Sequence, residues 1–209
     1  MKQPVIIAGG GGHAKVIFDT LRCLSYSVLG YVAPMQSPWH AEIKYLGNDD
    51  TVFFYYPENV LIANGVGSTG NQELRTEIFN KFQQKGCRFV SLVHPSATVA
   101  SDVQLGEGCQ VMAGAVLQPG VCCEHNVLIN TRVGIDHDCF IGAHTHIAVG
   151  ATLCGHVNIG KQVFVGAGST VIQGATVGMK SVVGAGALVL GSVPHDEIVV
   201  GVPARRGLK

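Results

Sequence analysis

The chain has 209 residues, room for one large domain or two small ones, and 47% are apolar against 13% charged, which leaves ample material for a core and little for a disordered tail. Lysine plus arginine balances aspartate plus glutamate at 14 each, so nothing basic points to nucleic acid as a partner. No apolar run is long enough to insert into a membrane; the N-terminus reads as a strand and a glycine loop rather than a secretory leader; and seven cysteines without a CxxC pair fit free thiols in a reducing cytoplasm.

In chain order, Val5–Ala8 is a buried strand, followed by Gly9-Gly10-Gly11-Gly12-His13-Ala14. Ala14, Ile17, Phe18, Leu21 and Leu24 then recur on one helical face. Such a strand–glycine loop–helix unit can cradle phosphate on backbone N–H groups. The loop also satisfies the GxGxxA dinucleotide fingerprint, but the second strand, Val28–Val32, runs on into Ala33-Pro34 with no carboxylate to hold a ribose, which counts against NAD. A third strand over Val60–Ala63, a helix near 71–84 and a strand near Arg88–Val93 complete a small Rossmann-like α/β domain over residues 1–92, joined by a very short linker to a second domain over 93–209.

The second domain announces itself by a repeat. From Val93, every sixth residue is apolar through Val99, Leu105 and onward to Val183 and Val189, with Cys123 the single member that is not Val, Leu or Ile. Four residues beyond each stands a small or β-branched residue, from Ala97 and Val103 to Ala187 and Val193. A period of six fits neither an amphipathic helix nor a simple alternating strand. It fits a short strand and a tight turn, three to a coil of 18 residues, stacked by parallel pairing around one narrow core. Cys109, Cys123 and Cys139 fall on interior positions and read as small hydrophobes. Glycine often follows the aliphatic residue, as at Gly142 and Gly166, and is expected to serve the turns.

Polar chemistry is densest in Asn130-Thr131-Arg132-Val133-Gly134-Ile135-Asp136-His137-Asp138-Cys139. His137 lies two residues beyond interior Ile135 and should face outward, with Asp136 and Asp138 placed to orient its ring and stabilise its protonated form. His146 is nine residues further, half a coil, so the two histidines belong on different sides of one helix and meet only across a subunit interface. A zinc reading of Asp136, His137, His144 and His146 lacks a recognised ligand pattern, and no metal is expected.

The glycine-rich α/β domain, the HPSATV junction and the run NTRVGIDHDCFIGAHTHIAVGA resemble the bacterial nucleotide-aminosugar N-acetyltransferases of the bacillosamine pathway; the sialic acid O-acetyltransferases share the layout. The resemblance implies a left-handed parallel β-helix, a homotrimer, and an acetyl-CoA-dependent enzyme acetylating the 4-amino group of a nucleotide-linked, by resemblance UDP-linked, deoxyaminosugar. It implies His137 as general base and Asp138 as its orienting carboxylate. Gly9, Gly10, Gly11, Gly12, His13, Gly65 and Asn130 are implied on the sugar-nucleotide side, and His146, Gly155, Ala167 and Ala185 on the acetyl-CoA side. Ala33-Pro34 departs from relatives that carry a carboxylate near the uracil. O-acetylation of a sialic-acid-like sugar and a non-catalytic sugar-nucleotide-binding trimer are the alternative readings.

Overall fold

The computed structural model describes residues 2–37, 42–55, 60–70 and 72–207. One compact unit runs to Ser68 and resumes over Glu73–Leu92; the second takes Thr69–Gln72 and the chain from Val93 onward. Among the described residues no helix is long and apolar enough to cross a membrane.

The N-terminal unit is built on a parallel sheet of β1 (Val5–Ala8), β2 (Val28–Val32), β3 (Tyr45–Gly47) and β4 (Leu61–Asn64), in the order β3-β2-β1-β4. β1 pairs on both edges, and its four apolar residues are fully buried, as a central parallel strand requires. The chain proceeds outward from β1 on both sides, so the end of β1 is the topological switch point where open α/β sheets hold ligands. The glycine loop leaves from that end into α1 (Gly12–Cys23), which buries Ala14, Ile17, Thr20 and Leu21. Phe18 is only half-buried, and Thr20 is buried with its hydroxyl donating to Val16 O at 2.8 Å. A short 3₁₀ turn and α2 (Val52–Tyr55) follow β3, and α3 (Glu73–Gln84) follows β4. Asn71, the expected start of that last helix, lies outside the described residues. The strand expected over Arg88–Val93 does not form as one element: Phe89 makes an isolated bridge to Ile62, and only Leu92–Val93 is a strand, in a different sheet. Two-residue pairing suits a segment that leaves one sheet to begin another.

In the second unit, seventeen two-residue strands, β5 (Leu92–Val93) to β21 (Leu188–Val189), recur every six residues, and each ends on the aliphatic position of the repeat. Pairing is parallel with an 18-residue offset, for example Leu128 with His146 and His146 with Phe164. Three faces result. The first holds β5, β8 (Gln110–Val111), β11 (Leu128–Ile129) and β14 (His146–Ile147). The second holds β6 (Thr98–Val99), β9 (Val116–Leu117) and β12 (Gly134–Ile135). The third holds β7 (Gln104–Leu105), β10 (Cys122–Cys123) and β13 (Phe140–Ile141). The aliphatic column and the small residues four places on form one continuous core. Each fully buried Val, Leu or Ile stabilises it by about 1.5–3 kcal/mol.

The polar members of the small-residue column are satisfied inside. Thr145 Oγ1 donates to Gly160 O at 2.8 Å and accepts from Val163 N, and Ser169 Oγ donates to Gly166 O. Cys139 Sγ donates to Cys154 O at 3.1 Å. Burial pushes the Cys139 thiol up to about 11 and the Cys123 thiol well above its usual value, so both pack as hydrophobes.

Glycine serves this helix in two ways, one of which differs from expectation. The glycines that follow the aliphatic residue are not in the left-handed region. At Gly106, Gly142, Gly160, Gly166 and Gly178 a Cβ would stand 2.5–2.6 Å from backbone of the neighbouring coil, so they permit close stacking of coils. The left-handed position falls two residues later, once per six residues from Gly108 to Gly186. Half of these corners are not glycine but Asn126, Arg132, Asp138, His144, His156, Gln162 and Lys180, all with positive φ. Asn, Asp and His tolerate this conformation better than most residues. After Leu188–Val189 the chain adds β22 (Ile198–Val200) to the first face and turns back as β23 (Arg205–Arg206), antiparallel to it.

Candidate active site

His137 projects at the corner between the second and third faces, between Ile135 and Phe140. Its side chain is about half exposed, as the repeat predicts for that position. Its backbone N–H donates to Asp136 Oδ1 at 2.8 Å, and its ring Nδ1 donates to Asp138 Oδ2 at 2.8 Å. The second contact fixes the tautomer, because a ring that gives its Nδ1 proton to a carboxylate keeps the Nε2 lone pair free. The hydrogen bond to Asp138 raises the His137 pKa above the ordinary imidazole value, and the same bond lowers that of Asp138.

The 18-residue stacking determines what surrounds this pair. His156 N donates to His137 O, which puts Gly155 beneath the ring. A Cβ on Gly155 would stand 2.6 Å from His137 Nε2, so only glycine leaves this ring nitrogen its place. One coil the other way, a Cβ on Gly120 would stand 2.5 Å from Asp138 Oδ1. The imidazole–carboxylate pair is thus seated in a slot made by two missing side chains.

A second group lies elsewhere on the helix. Asn130 follows β11, and His146 opens β14, both on the first face. Asn130 Oδ1 accepts from Thr131 N at 2.8 Å, so its amide nitrogen donates to His146 Nε2 at 3.1 Å. His146 is nearly buried, with its ring edge-on to Phe164. Ala167 and Ala185 are exposed and stack one above the other where the first face turns into the second, with Gly186 N donating to Ala167 O. Asn130, His146, Ala167 and Ala185 therefore share one flank, while His137, Asp138 and Gly155 occupy another corner. One protomer does not bring the two groups together. Gly155, expected to offer its backbone N–H on the acetyl-CoA side, lies beside the His137 ring.

In the N-terminal unit the four loop glycines divide into two kinds. Gly9, with φ +125°, approaches Gly65 so closely that a Cβ would stand 2.9 Å from Gly65 C, and a Cβ on Gly65 would meet Ile7 and Ala14. Gly10 packs against Ser37, whose hydroxyl donates to Gly10 O at 2.6 Å. These three are required by packing. Gly11 and Gly12 are exposed, and a Cβ on either would meet nothing within 4 Å. Gly11 is the N-cap of α1 and no side chain caps that helix, so the loop's last two glycines leave room at a helix N-terminus suited to phosphate. His13 is half-buried beside Gly67. The loop that carries Gly65 is braced by buried Arg75, which donates to Val66 O at 2.8 Å, and by Asn64, whose amide donates to Arg75 O. The sequence reading missed this brace, since an arginine in a helix of mixed polarity gives no sign that it will be buried.

The zinc constellation weighed from sequence does not assemble. His137 is at one corner, His144 at the corner between the third and first faces, and His146 on the first face. His144 instead accepts from the Asn126 amide at 2.9 Å and packs edge-on against His125. The histidine that does join His137 and Asp138 is His156, with Nε2 3.6 Å from Asp138 Oδ2. Three donor atoms of this trio lie within 4.8 Å of one another. The 2.8 Å His137–Asp138 contact is that of a hydrogen bond and is shorter than the roughly 3.3 Å kept by two ligands on one tetrahedral zinc. His156 was legible in principle, because it is one 18-residue coil beyond Asp138.

Comparison with known proteins agrees with this architecture. Residues 4–82 match the family model described as the PglD N-terminal domain, and residues 156–190 match the hexapeptide repeat of succinyl-transferase. The acetyltransferase domain of PglB from Neisseria gonorrhoeae, solved with acetyl coenzyme A, is 30% identical with a TM-score of 0.93, covering 99% of this chain and 100% of that one. PerB from Caulobacter crescentus, solved with CoA and GDP-perosamine, is 33% identical with a TM-score of 0.90, covering 98% and 97%. The fold is thus a Rossmann-like domain followed by a left-handed parallel β-helix of the hexapeptide-repeat acyltransferase class. Within that class, the chain belongs to the nucleotide-aminosugar N-acetyltransferase family.

The pairing of His137 with Asp138 has a measurable consequence. Asp138→Asn should lower the His137 pKa toward the ordinary imidazole range, because the charged acceptor that favours the protonated ring is gone. Titration of the ring by NMR checks this; an unchanged or higher value would mean that Asp138 does not govern the ring's basicity.

Proposed function

We propose that this protein transfers the acetyl group of acetyl-CoA directly to the 4-amino group of a nucleotide-linked deoxyaminosugar. The observation that carries the reading is the His137 ring, held by Asp138 through Nδ1 with Nε2 over a residue that has no side chain. The solved relatives supply the ligand classes: acetyl-CoA with the PglB domain, and CoA with GDP-perosamine in PerB.

In this mechanism the neutral amine attacks the thioester carbonyl, and His137 Nε2 takes the proton that nitrogen sheds as the C–N bond forms. Asp138 stabilises the imidazolium so produced. Collapse of the tetrahedral intermediate breaks the C–S bond, and the departing thiolate recovers the proton as CoA-SH. The Gly155 N–H is the proposed donor to the developing oxyanion. No covalent enzyme intermediate is needed.

The two separated groups of site residues support a homotrimer in which His137, Asp138 and Gly155 of one protomer face Asn130, His146, Ala167 and Ala185 of the next. A closed ring of identical interfaces repeats such a split site three times. In the N-terminal domain, Gly11, Gly12 and His13 are proposed to receive the nucleotide's diphosphate, on the strength of the open space at the N-terminus of α1. The base of that nucleotide is read by other means than a carboxylate after β2, where Ala33 is buried and Pro34 exposed; UDP- and GDP-linked 4-amino sugars are therefore both to be assayed.

Thiol release from acetyl-CoA across UDP- and GDP-linked 4-amino sugars, with CMP-sialic acid and free sialic acid as hydroxyl acceptors, tests the reading. A 4-amino sugar nucleotide should be turned over, and a clear preference for a hydroxyl acceptor would contradict N-acetylation. His137→Ala should lower kcat by roughly 10²–10⁴-fold with acetyl-CoA binding retained, and near-parental turnover would refute the base assignment. Gly11→Val should raise the acceptor KM and leave acetyl-CoA affinity intact; loss of acetyl-CoA binding instead would mean that the two ligands are assigned to the wrong domains.

A further inference from the structure

We propose that His156 is a positioning residue: a second imidazole on the Asp138 carboxylate that limits how strongly His137 holds its proton and so keeps the base available at mildly acidic pH. The inference rests on the reading of His137 as the base.

The juxtaposition is imposed by the helix. Asp138 and His156 occupy the same left-handed corner position in successive coils, with φ near +57° at both. The same stacking places His156 N on His137 O. Asp138 Oδ2 consequently faces both rings, 2.8 Å from His137 Nδ1 and 3.6 Å from His156 Nε2. The rings stand edge to face with centroids 5.0 Å apart. A carboxylate that served His137 alone would make the imidazolium too comfortable, and a base that is protonated at working pH is unavailable. The second ring opposes this in two ways. It draws part of the carboxylate's charge, and whenever it is itself protonated it sets a like charge beside His137.

The charged groups facing the pair are few. On its own turn stand Asp136 and Asp138. In the stacked coils the neighbouring positions are Pro119, Gly120, Gly155, Gln173 and Gly174, none of them charged. The next acid down the column is Asp102, engaged with Gly120 N at 3.0 Å. Among the described residues His156 is the one ring besides His137 that stands against Asp138, and the His137 hydrogen bond, followed by Coulombic attraction from both rings, lowers the Asp138 pKa.

His156→Asn keeps a polar side chain at this corner and removes the ring that can carry a charge. Followed by NMR, the His137 pKa should then rise by about half a pH unit, the size of a unit charge at this separation in water. The acid limb of kcat/KM should move to higher pH by the same amount. His156→Lys, which stays charged throughout the range, should move both the other way. A His156 with only a structural role would not give opposite shifts. An unchanged His137 titration in both variants, with folded protein confirmed by thermal melting, overturns the inference. The base reading is judged separately: the limb must vanish in His137→Ala, and if it persists there, that reading fails whatever His156 does.

Discussion

Everything in the catalytic half of this molecule depends on the 18-residue coil. Parallel pairing with that offset stacks each residue on the one 18 earlier and 18 later, so contacts across the surface are determined by arithmetic on the sequence. Interior order follows from the aliphatic column, where a slipped register would expose a row of buried Val, Leu and Ile at about 1.5–3 kcal/mol each. The proposed chemistry sits at the corners of this core. His137, Asp138 and His156 take their places from the stacking of successive coils, His156 N donating to His137 O.

The same constraint explains why the corner residues can be polar. A left-handed turn every six residues would ordinarily call for glycine, and half the corners comply. The others carry Asn, Asp, His, Gln, Arg or Lys, some of them exposed and some, as Asn126 and His144, buried. Two of these, Asp138 and His156, form two thirds of the trio around the proposed base. Missing side chains complete the arrangement: Gly120 makes room for Asp138, and Gly155 for the His137 ring. A side chain added at Gly155 would press on His137 Nε2, and one added at Gly120 on Asp138 Oδ1.

The β-helix was legible because its signal is periodic and needs no tertiary context; the repeat residues Val93 to Val189 end the observed strands one for one. The role of the glycines after the aliphatic residue was misread, since close coil stacking and turn conformation leave the same composition in the sequence and only the backbone angles separate them. In the N-terminal domain β1, β2 and α1 were visible from apolar runs and the glycine loop. The three-residue β3 and the helical turns after it carry no periodicity long enough to read, and Arg88–Val93 is too apolar to reveal that it is divided between two sheets. At the site, adjacency in sequence gave His137 and Asp138. His156 escaped because its partnership exists only one coil away, and the buried Arg75 because nothing local predicts its burial.

In the proposed trimer the His137 corner of one protomer works with the His146 flank of another. Subunit complementation tests it most directly. His137→Ala and His146→Ala variants, each assayed alone and then co-expressed and purified as mixed trimers, should differ sharply. In a cyclic trimer every mixed assembly contains one interface with both histidines intact, so random mixing should restore about a quarter of the parental sites. Activity in the mixture no greater than the sum of the two variants alone would contradict a site shared between protomers.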